Sequence, residues 1–294
     1  MFENIKHPLV TAGEWQEIAL GSSNQVFKAV IDKQSLILRI NANCEFAFGV
    51  DRVREAQVLA LIGKQSWAPV IVEYNLEEDW CLMLDHGSNL QVNEQSKQQM
   101  LAWLAQLQLF SQKVEKDTAQ SVWFDYSQLL VSYRQQLQPI VNNQLALSLC
   151  HLIEQRLQHF AKVPACLMHQ DLHPQNVCYT TNAMADELVV IDWEYSGWGM
   201  PWLDVAALHS NFEVDAQALQ TLPVFKHLSH HDFLKSLKLA LAINEAFSCV
   251  WYWVRYTFDR QKGQQKEVHQ KVSVPVELQE QAQLCIVQLT DLSG

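Results

Sequence analysis

Leu167-Met168-His169-Gln170-Asp171-Leu172-His173-Pro174-Gln175-Asn176 runs straight into Val177-Cys178-Tyr179-Thr180, and after a polar turn the chain returns through Leu188-Val189-Val190-Ile191-Asp192-Trp193-Glu194. The two apolar runs flank a turn at 181–187, and that pattern predicts a β-hairpin. Asn176 immediately precedes the first run and Asp192 immediately follows the second. Antiparallel pairing therefore brings these two residues together at the open end, where opposed Cα atoms lie roughly 4.5–5.5 Å apart. An amide oxygen and a carboxylate at that separation can share one hard cation. Mg²⁺ takes oxygen ligands, usually only one or two carboxylates together with phosphate oxygens. Glu194 lies two residues beyond Asp192 and, if the backbone stays extended, points to the same side, where it can hold a second ion or a ligand cation. Asp171 sits five residues before Asn176 on the loop leading in, a position suited to a base that accepts a hydroxyl proton. Pro174 stiffens that loop.

Upstream of the hairpin the chain reads as strand-rich for its first eighty-odd residues. Short β-branched or apolar runs at 18–20, 26–31 and 36–40 are separated by Gly21-Ser22-Ser23-Asn24 and Asp32-Lys33-Gln34, which predicts an antiparallel meander. Asp51 is an expected N-cap for a helix over 51–62, with Val53, Ala56, Leu59 and Ile62 at helical spacing. Runs at 70–74 and 80–84 complete the strands, and the polar stretch 85–94 reads as a connector. Met100, Leu104, Leu107 and Phe110 then mark an amphipathic helix, and Leu145, Leu149, Leu152 and Leu157 another. The glutamine-rich region 94–144 keeps its apolar spacing and is read as solvated helix faces. Beyond residue 205 the pattern is helical almost to the end. The expected fold class is α+β: an antiparallel β lobe with one helix over 1–85, and a larger, mainly helical lobe over 86–294 that the hairpin interrupts.

Composition narrows the function. Asp and Glu number 32 against 21 Lys and Arg, for a net charge of −11. No basic run exists to grip a phosphodiester backbone, so nucleic acid is not an expected partner. The acidic balance fits a cationic ligand, but plain solubility is the first explanation of it. Seven scattered cysteines, with no Cys-x-x-Cys pair, fit reduced thiols and a cytoplasmic setting. Residues 1–10 lack the apolar run of a signal peptide. The apolar stretch 237–254 contains Lys238, Asn244 and Glu245, so it is expected to be a buried helix and not a membrane span.

The string His169-Gln170-Asp171-x-x-x-x-Asn176, with Asp192 after a strand, resembles the catalytic loop and metal-binding Asp of protein-kinase-like enzymes. The fuller forms, His-x-Asp-Leu-His-Pro-x-Asn and Ile-Asp-Trp-Glu-Tyr-Ser-Gly, resemble the aminoglycoside phosphotransferase and choline/ethanolamine/thiamine kinase family. That resemblance implies a bilobal protein-kinase-like fold and transfer of a phosphoryl group from ATP, with Mg²⁺, to a small-molecule alcohol. It implies Asp171 as the catalytic base, and Asn176 and Asp192 as metal ligands. Asp204, in Trp202-Leu203-Asp204-Val205-Ala206, resembles the family's structural Asp and is expected to brace the catalytic loop; His169 is expected to orient the same loop. The first lobe becomes the nucleotide lobe. Gly21, Ser22 and Ser23 would lay backbone N–H groups over phosphates, Arg39 stands where the kinase strand carries Lys, Glu55 would be its ion-pair partner, and Met83 and Leu84 fall where the adenine-binding connector begins. Arg in place of Lys at 39 departs from the protein-kinase pattern.

The acceptor is expected to be a cationic alcohol, with thiamine and choline or ethanolamine foremost and an aminoglycoside or another metabolite as the alternative. Glu194, Trp198, Trp202, Glu245 and Trp251 are candidate substrate contacts. Trp251 and Trp253, with Phe247 and Tyr252, offer an aromatic cage for a quaternary ammonium, and core packing of a large helical lobe explains the same spacing. His169, Asp171 and His173 also admit a metallohydrolase reading, and His227, His230 and His231 a zinc site. A nucleotide-binding protein without catalysis is the rival from another class; the intact Asp171, Asn176 and Asp192 argue against it.

Overall fold

The computed structural model describes residues 5–20, 24–42, 48–138, 143–182, 185–263 and 274–292. In chain order the elements are α1 (Pro8–Ala12), β1 (Gln16–Leu20), β2 (Asn24–Ile31), β3 (Gln34–Asn41), α2 (Arg52–Ile62), β4 (Ile71–Asn75), β5 (Trp80–Leu84), β6 (Ser88–Asn89), α3 (Glu94–Ser111), α4 (Lys116–Ser121), α5 (Tyr126–Leu137), α6 (Gln144–Arg156), β7 (Cys166–Met168), β8 (Val177–Asn182), β9 (Ala185–Val190), β10 (Gly197–Gly199), α7 (Trp202–Asn211), α8 (Ala216–Gln220), α9 (His230–Gly263) and α10 (Val276–Asp291). They form two compact units, one of residues 1–99 with 171–197 and the other of 100–170 with 198–294.

The first unit is built on a five-stranded antiparallel sheet in the order β1-β2-β3-β5-β4. β2 and β3 are joined by Asp32 and Lys33, both left-handed at φ 52° and 68°, the twist that a two-residue hairpin turn needs. Register sorts the side chains onto two faces. Phe27 opposes Leu38, and Leu38 opposes Leu82. With Leu36 and Trp80 they close a core against Ile5 and Val10 of the N-terminal segment. The alternate residues share the other face. Arg39 lies between Val26 and Cys81, Ile37 between Lys28 and Met83, and Asn41 opposite Asn24.

Asp51 caps α2 as expected, accepting the backbone N–H groups of Val53 and Arg54 at 3.1 and 3.0 Å. The buried stripe of α2 differs from the expected one. Val53 is 56% exposed, and the buried face is Glu55, Val58, Leu59 and Ile62. The apolar spacing alone hid this, because the first residue of the inward face is a carboxylate. The predicted hairpin is β8–β9, paired from Val177↔Val190 to Asn182↔Ala185, and β6 adds a short third strand beside β8.

In the second unit α9 packs against α5, α6, α7, α8 and α10. Leu237, Ala240, Ile243, Ala246, Val250 and Trp253 are buried at three- and four-residue spacing, so the apolar stretch is a core helix as read from its charges. Among the described residues no helix is long and apolar enough to cross a membrane. Six cysteines, at 81, 150, 166, 178, 249 and 285, are free and buried; Cys44 lies outside the described residues.

Candidate active site

The ladder of the β8–β9 hairpin ends one step earlier than simple alignment predicts. Ile191 N–H donates to Asn176 C=O at 2.8 Å, so Asn176 faces Ile191, and Asp192 is the first residue past the paired strand. Asp192 takes a left-handed backbone, φ 63°, as does Gln170 at φ 69° just before Asp171. Two non-glycine residues in this region within one loop system are a local strain of the kind that marks functional sites.

Asn176 is 5% exposed. Its Nδ2 donates to Asp171 C=O at 2.9 Å and to Asp171 Oδ2 at 3.1 Å. Both neighbours are acceptors, so the amide orientation is fixed, and its Oδ1 has no hydrogen-bond partner among the described residues. Asp192 Oδ1 is likewise buried without a hydrogen bond; Arg39 Nη1 stands 3.5 Å away as an ion pair. Burial and the adjacent Glu194, joined by Asp171 and Glu55, push the Asp192 carboxyl up to about 8 against the pull of Arg39. The group is thus short of positive charge. Two oxygens without hydrogen bonds among the described residues, one amide and one carboxylate, are the donor set of a hard divalent cation, so the residues present fit Mg²⁺. Among the described residues no cluster of three or more His, Cys, Asp or Glu is arranged to hold a metal, so neither the metallohydrolase reading nor the zinc reading at His227, His230 and His231 gains support.

Arg39 and Glu55 meet on the inner face of the sheet. Arg39 Nη2 lies 2.7 Å from Glu55 Oε1, and the two residues are 6% and 1% exposed. Tyr74 OH donates to Glu55 Oε2 at 2.7 Å, and its ring lies 5.8 Å from the Arg39 guanidinium carbon. Arg52, the first residue of α2, donates from Nη1 to Glu55 Oε2 at 2.9 Å and to Glu194 Oε2 at 3.0 Å. Burial raises the Glu55 pKa, but the charges of Arg39 and Arg52 and the Tyr74 hydrogen bond outweigh it and hold the carboxyl below its ordinary value. Glu194, read from sequence as a metal or substrate contact, is 4% exposed and has Oε2 committed to Arg52 and to Asn24 Nδ2 at 2.9 Å.

Asp204 reaches back from α7 to the loop before the hairpin. Its Oδ2 accepts His169 N–H at 2.8 Å and its Oδ1 accepts Gln170 N–H at 2.7 Å. His169 is fully buried. Tyr126 OH donates to Gln170 Oε1 at 2.5 Å, so the residue preceding Asp171 is held by both its backbone and its side chain. Asp171 itself is half-buried, with His173 Nε2 3.6 Å from Oδ2. Burial lowers the His173 pKa, yet the hydrogen bond and charge of Asp171 win and the net shift is upward.

The remaining sequence candidates fall in different places. Gly21, Ser22 and Ser23 lie outside the described residues. Met83 shares the sheet face of Arg39, whereas Leu84 turns its side chain to the opposite face and packs on the Phe27–Leu38 core. The connector after β5 is pinned by Asp85, which accepts from Ser35 Oγ at 2.8 Å and pairs with Lys28 Nζ at 2.5 Å. Trp202 is fully buried among Phe160, Phe225 and Phe233, with ring centroids 5.7, 4.6 and 5.8 Å away, so it is core and not a substrate contact. Trp198 is 8% exposed and its backbone is bonded to Val122 and Phe124. Glu245 is exposed and accepts from Gln281, and Trp251 is half-buried against Tyr252. Trp253 is fully buried, so the α9 aromatics do not gather as one cage. The sequence reading missed Asn24, Arg52, Tyr74 and Tyr126. Of these, Arg52 alone carried a sequence cue: it stands three residues before Glu55, a helical neighbour spacing.

A five-stranded antiparallel sheet carrying a buried Arg–Glu pair, and a helical unit in the same chain as an Asp–Asn–Asp hairpin, define a protein-kinase-like fold. The model of the APH phosphotransferase enzyme family matches residues 14–236, and the chain belongs to that family. It is a small-molecule phosphotransferase acting on a hydroxyl group. Solved structures share the fold. Choline kinase LicA from Streptococcus pneumoniae superposes with TM-score 0.66 at 16% identity, covering 95% of this chain and 93% of its own. An ethanolamine kinase from Plasmodium vivax gives TM-score 0.65 at 12% identity, with 97% and 85% covered. The GDP complex of an aminoglycoside 2′-phosphotransferase-IIIa mutant gives 0.60 at 14% identity, with 96% and 93% covered. No curated protein matches the chain by sequence.

Proposed function

We propose that the chain transfers the γ-phosphoryl group of ATP to the hydroxyl of a small cationic alcohol. One observation carries the reading. Asn176 spends its amide hydrogens on Asp171 and leaves its oxygen, together with Asp192 Oδ1, without a hydrogen-bond partner among the described residues. That arrangement couples the base to the metal ligands. Asn176 and Asp192 would hold Mg²⁺, which when bound supplies charge neutralisation at the transferring phosphates. Glu194 flanks that centre.

The rest is work for this chain's own groups. Asp171 accepts the acceptor hydroxyl proton, and the Asn176 amide keeps its Oδ2 turned in the required direction. As the acceptor oxygen bonds to the γ-phosphorus, the bridging P–O bond breaks and ADP departs with that electron pair. Arg39, locked by Glu55, presents its cation to the phosphates, and Gly21, Ser22 and Ser23 offer backbone N–H groups. Met83, on the Arg39 face, borders the adenine, with the backbone at Leu84 beside it. Residues 1–85 thereby act as the nucleotide lobe and 86–294 as the catalytic and substrate lobe. Catalysis rests on positioning and preset charge.

A cationic acceptor is supported by the net charge of −11 and by the carboxylate-rich centre. The choline and ethanolamine kinases among the fold relatives favour choline and ethanolamine, with thiamine of the same chemical kind; the aminoglycoside phosphotransferase relative keeps polyamine sugars as the second reading. Six buried free thiols fit a cytoplasmic setting. The test is ADP release with Mg²⁺ and ATP against choline, ethanolamine, thiamine and a set of aminoglycosides. Asp171→Ala is expected to abolish turnover on the preferred acceptor while ATP affinity stays within about threefold. Loss of nucleotide binding with retained turnover would refute the assignment of Asp171. ATP consumption that no acceptor stimulates would refute the kinase reading.

A further inference from the structure

The segment that follows Asp192 is tied to the start of α2 by two arginines. Arg52 Nη1 donates to Glu194 Oε2 at 3.0 Å, and Arg54 Nε donates to Ser196 C=O at 2.8 Å. Ser196 in turn closes its own turn, with N–H to Trp193 C=O at 3.0 Å and Oγ to the same oxygen at 2.5 Å. Trp193 is fixed by Nε1 to Val190 C=O at 2.8 Å and by stacking on Trp67 at 5.9 Å. The segment just after Asp192 is therefore held at Trp193, Glu194 and Ser196.

Arg52 belongs to a closed polar triangle. Its Nη2 donates to Asn24 Oδ1 at 2.8 Å, Asn24 Nδ2 donates to Glu194 Oε2 at 2.9 Å, and Arg52 Nη1 completes the circuit to the same Glu194 oxygen. Asn24 is the first residue of β2, so the triangle joins the end of that strand, the first turn of α2 and the segment two residues past Asp192. The same Nη1 also reaches Glu55, the partner of Arg39. Glu194 sits deep enough, at 4% exposed, that its charge requires a partner, and Arg52 is the cation that supplies it. A guanidinium serves here because its planar fork reaches three acceptors in fixed directions, which an ammonium does not.

We propose that Arg52 is a positioning residue for the metal arm: acting through Asn24 and Glu194, it sets where Asp192 stands relative to Asn176. The inference rests on the reading of Asp192 as a metal ligand. It assigns Glu194 as the anchor of that arm instead of an independent ligand. Partners behind a metal's direct ligands typically alter affinity by about 10–100-fold when removed.

The experiment is Mn²⁺ binding by electron paramagnetic resonance on the whole chain with a non-hydrolysable ATP analogue, alongside steady-state kinetics. Arg52→Gln and Asn24→Ala are each expected to weaken Mn²⁺ binding about tenfold. Asn24→Ala serves as the second variant because it removes two sides of the triangle while the Arg52–Glu194 ion pair survives. Arg52→Lys, which keeps the charge and loses the fork, is expected to recover only part of the affinity. Glu194→Gln is expected to match Arg52→Gln, and the double variant to be no worse than either single one. Additive losses would mean that Glu194 binds metal on its own account and would overturn the proposal. Mn²⁺ affinity within twofold of the parent in both Arg52→Gln and Asn24→Ala would also overturn it. Asp192→Asn separates the two levels. If it abolishes Mn²⁺ binding while the Arg52 variants do not change it, the positioning role alone falls. If it too leaves binding intact, the metal assignment falls and the proposal with it.

Discussion

Replacing Glu55 by Gln tests whether the inner face of the sheet is organised by charge. Glu55 is 1% exposed and receives Arg39 at 2.7 Å, Arg52 at 2.9 Å and Tyr74 OH at 2.7 Å. The amide keeps the shape and one acceptor but removes the carboxylate that, among the described residues, Arg39 and Arg52 share. Removing one partner of a buried ion pair costs about 3–5 kcal/mol, mostly because the other charge stays buried without compensation. At about 2 °C of Tm per kcal/mol for a chain of this size, thermal unfolding is expected to fall by roughly 6–10 °C. Circular dichroism at pH 7 measures it. The pH dependence supplies a second check. The folded-state pKa of Glu55 is depressed, so its contribution is present above the unfolded value, about 4.3, and is lost as pH falls through the folded value. The gap between parent and variant should hold steady from pH 6 to pH 8, about the neutral range, and shrink on acidification. A gap below about 2 °C at neutral pH, where the pair is fully charged, would refute the reasoning.

Tyr126→Phe removes the hydroxyl that holds Gln170, the residue before Asp171. Loss of about 1 kcal/mol of stability and a severalfold fall in kcat with unchanged KM for ATP are expected; a change confined to KM for ATP would contradict it. His173 is raised by its hydrogen bond to Asp171, so in ¹H–¹⁵N spectra it should titrate above an ordinary histidine, and Asp171→Asn should bring its pKa down. An unmoved His173 titration in that variant would show that Asp171 is not its partner.

The hairpin was legible because its two apolar runs and its polar ends are all local. The two apolar runs located β8 and β9, although both strands run on into the stretch 181–187 that their polar residues mark as turn. The exact pairing was not legible. Ending the ladder at Ile191 depends on the left-handed turn at Asp192, and nothing in the residue type announces it. The inward face of α2 was misread for a related reason. Apolar periodicity assumes that the buried face is apolar, and here its first position is a glutamate neutralised by two arginines. Trp202 failed in the opposite sense. A tryptophan ten residues past Asp192 looked like a ligand contact, and three aromatic rings from distant segments make it core instead.

Charge explains why arginine, and not lysine, occupies position 39. A lysine ammonium is a single point and would be satisfied by Glu55. The guanidinium binds Glu55 through Nη2 and still faces Asp192 through Nη1 at 3.5 Å, so one side chain relates the α2 carboxylate to Asp192. Arg52 repeats the device one layer away, between Glu55 and Glu194. Each of these two arginines thus pairs with two carboxylates of the first unit. Four carboxylates, of Glu55, Glu194, Asp192 and Asp171, stand among these two arginines, and burial with the charge of Glu194 raises the Asp192 carboxyl above its ordinary value. That excess of carboxylates favours a positive partner at this centre, which is what the proposed Mg²⁺ would supply.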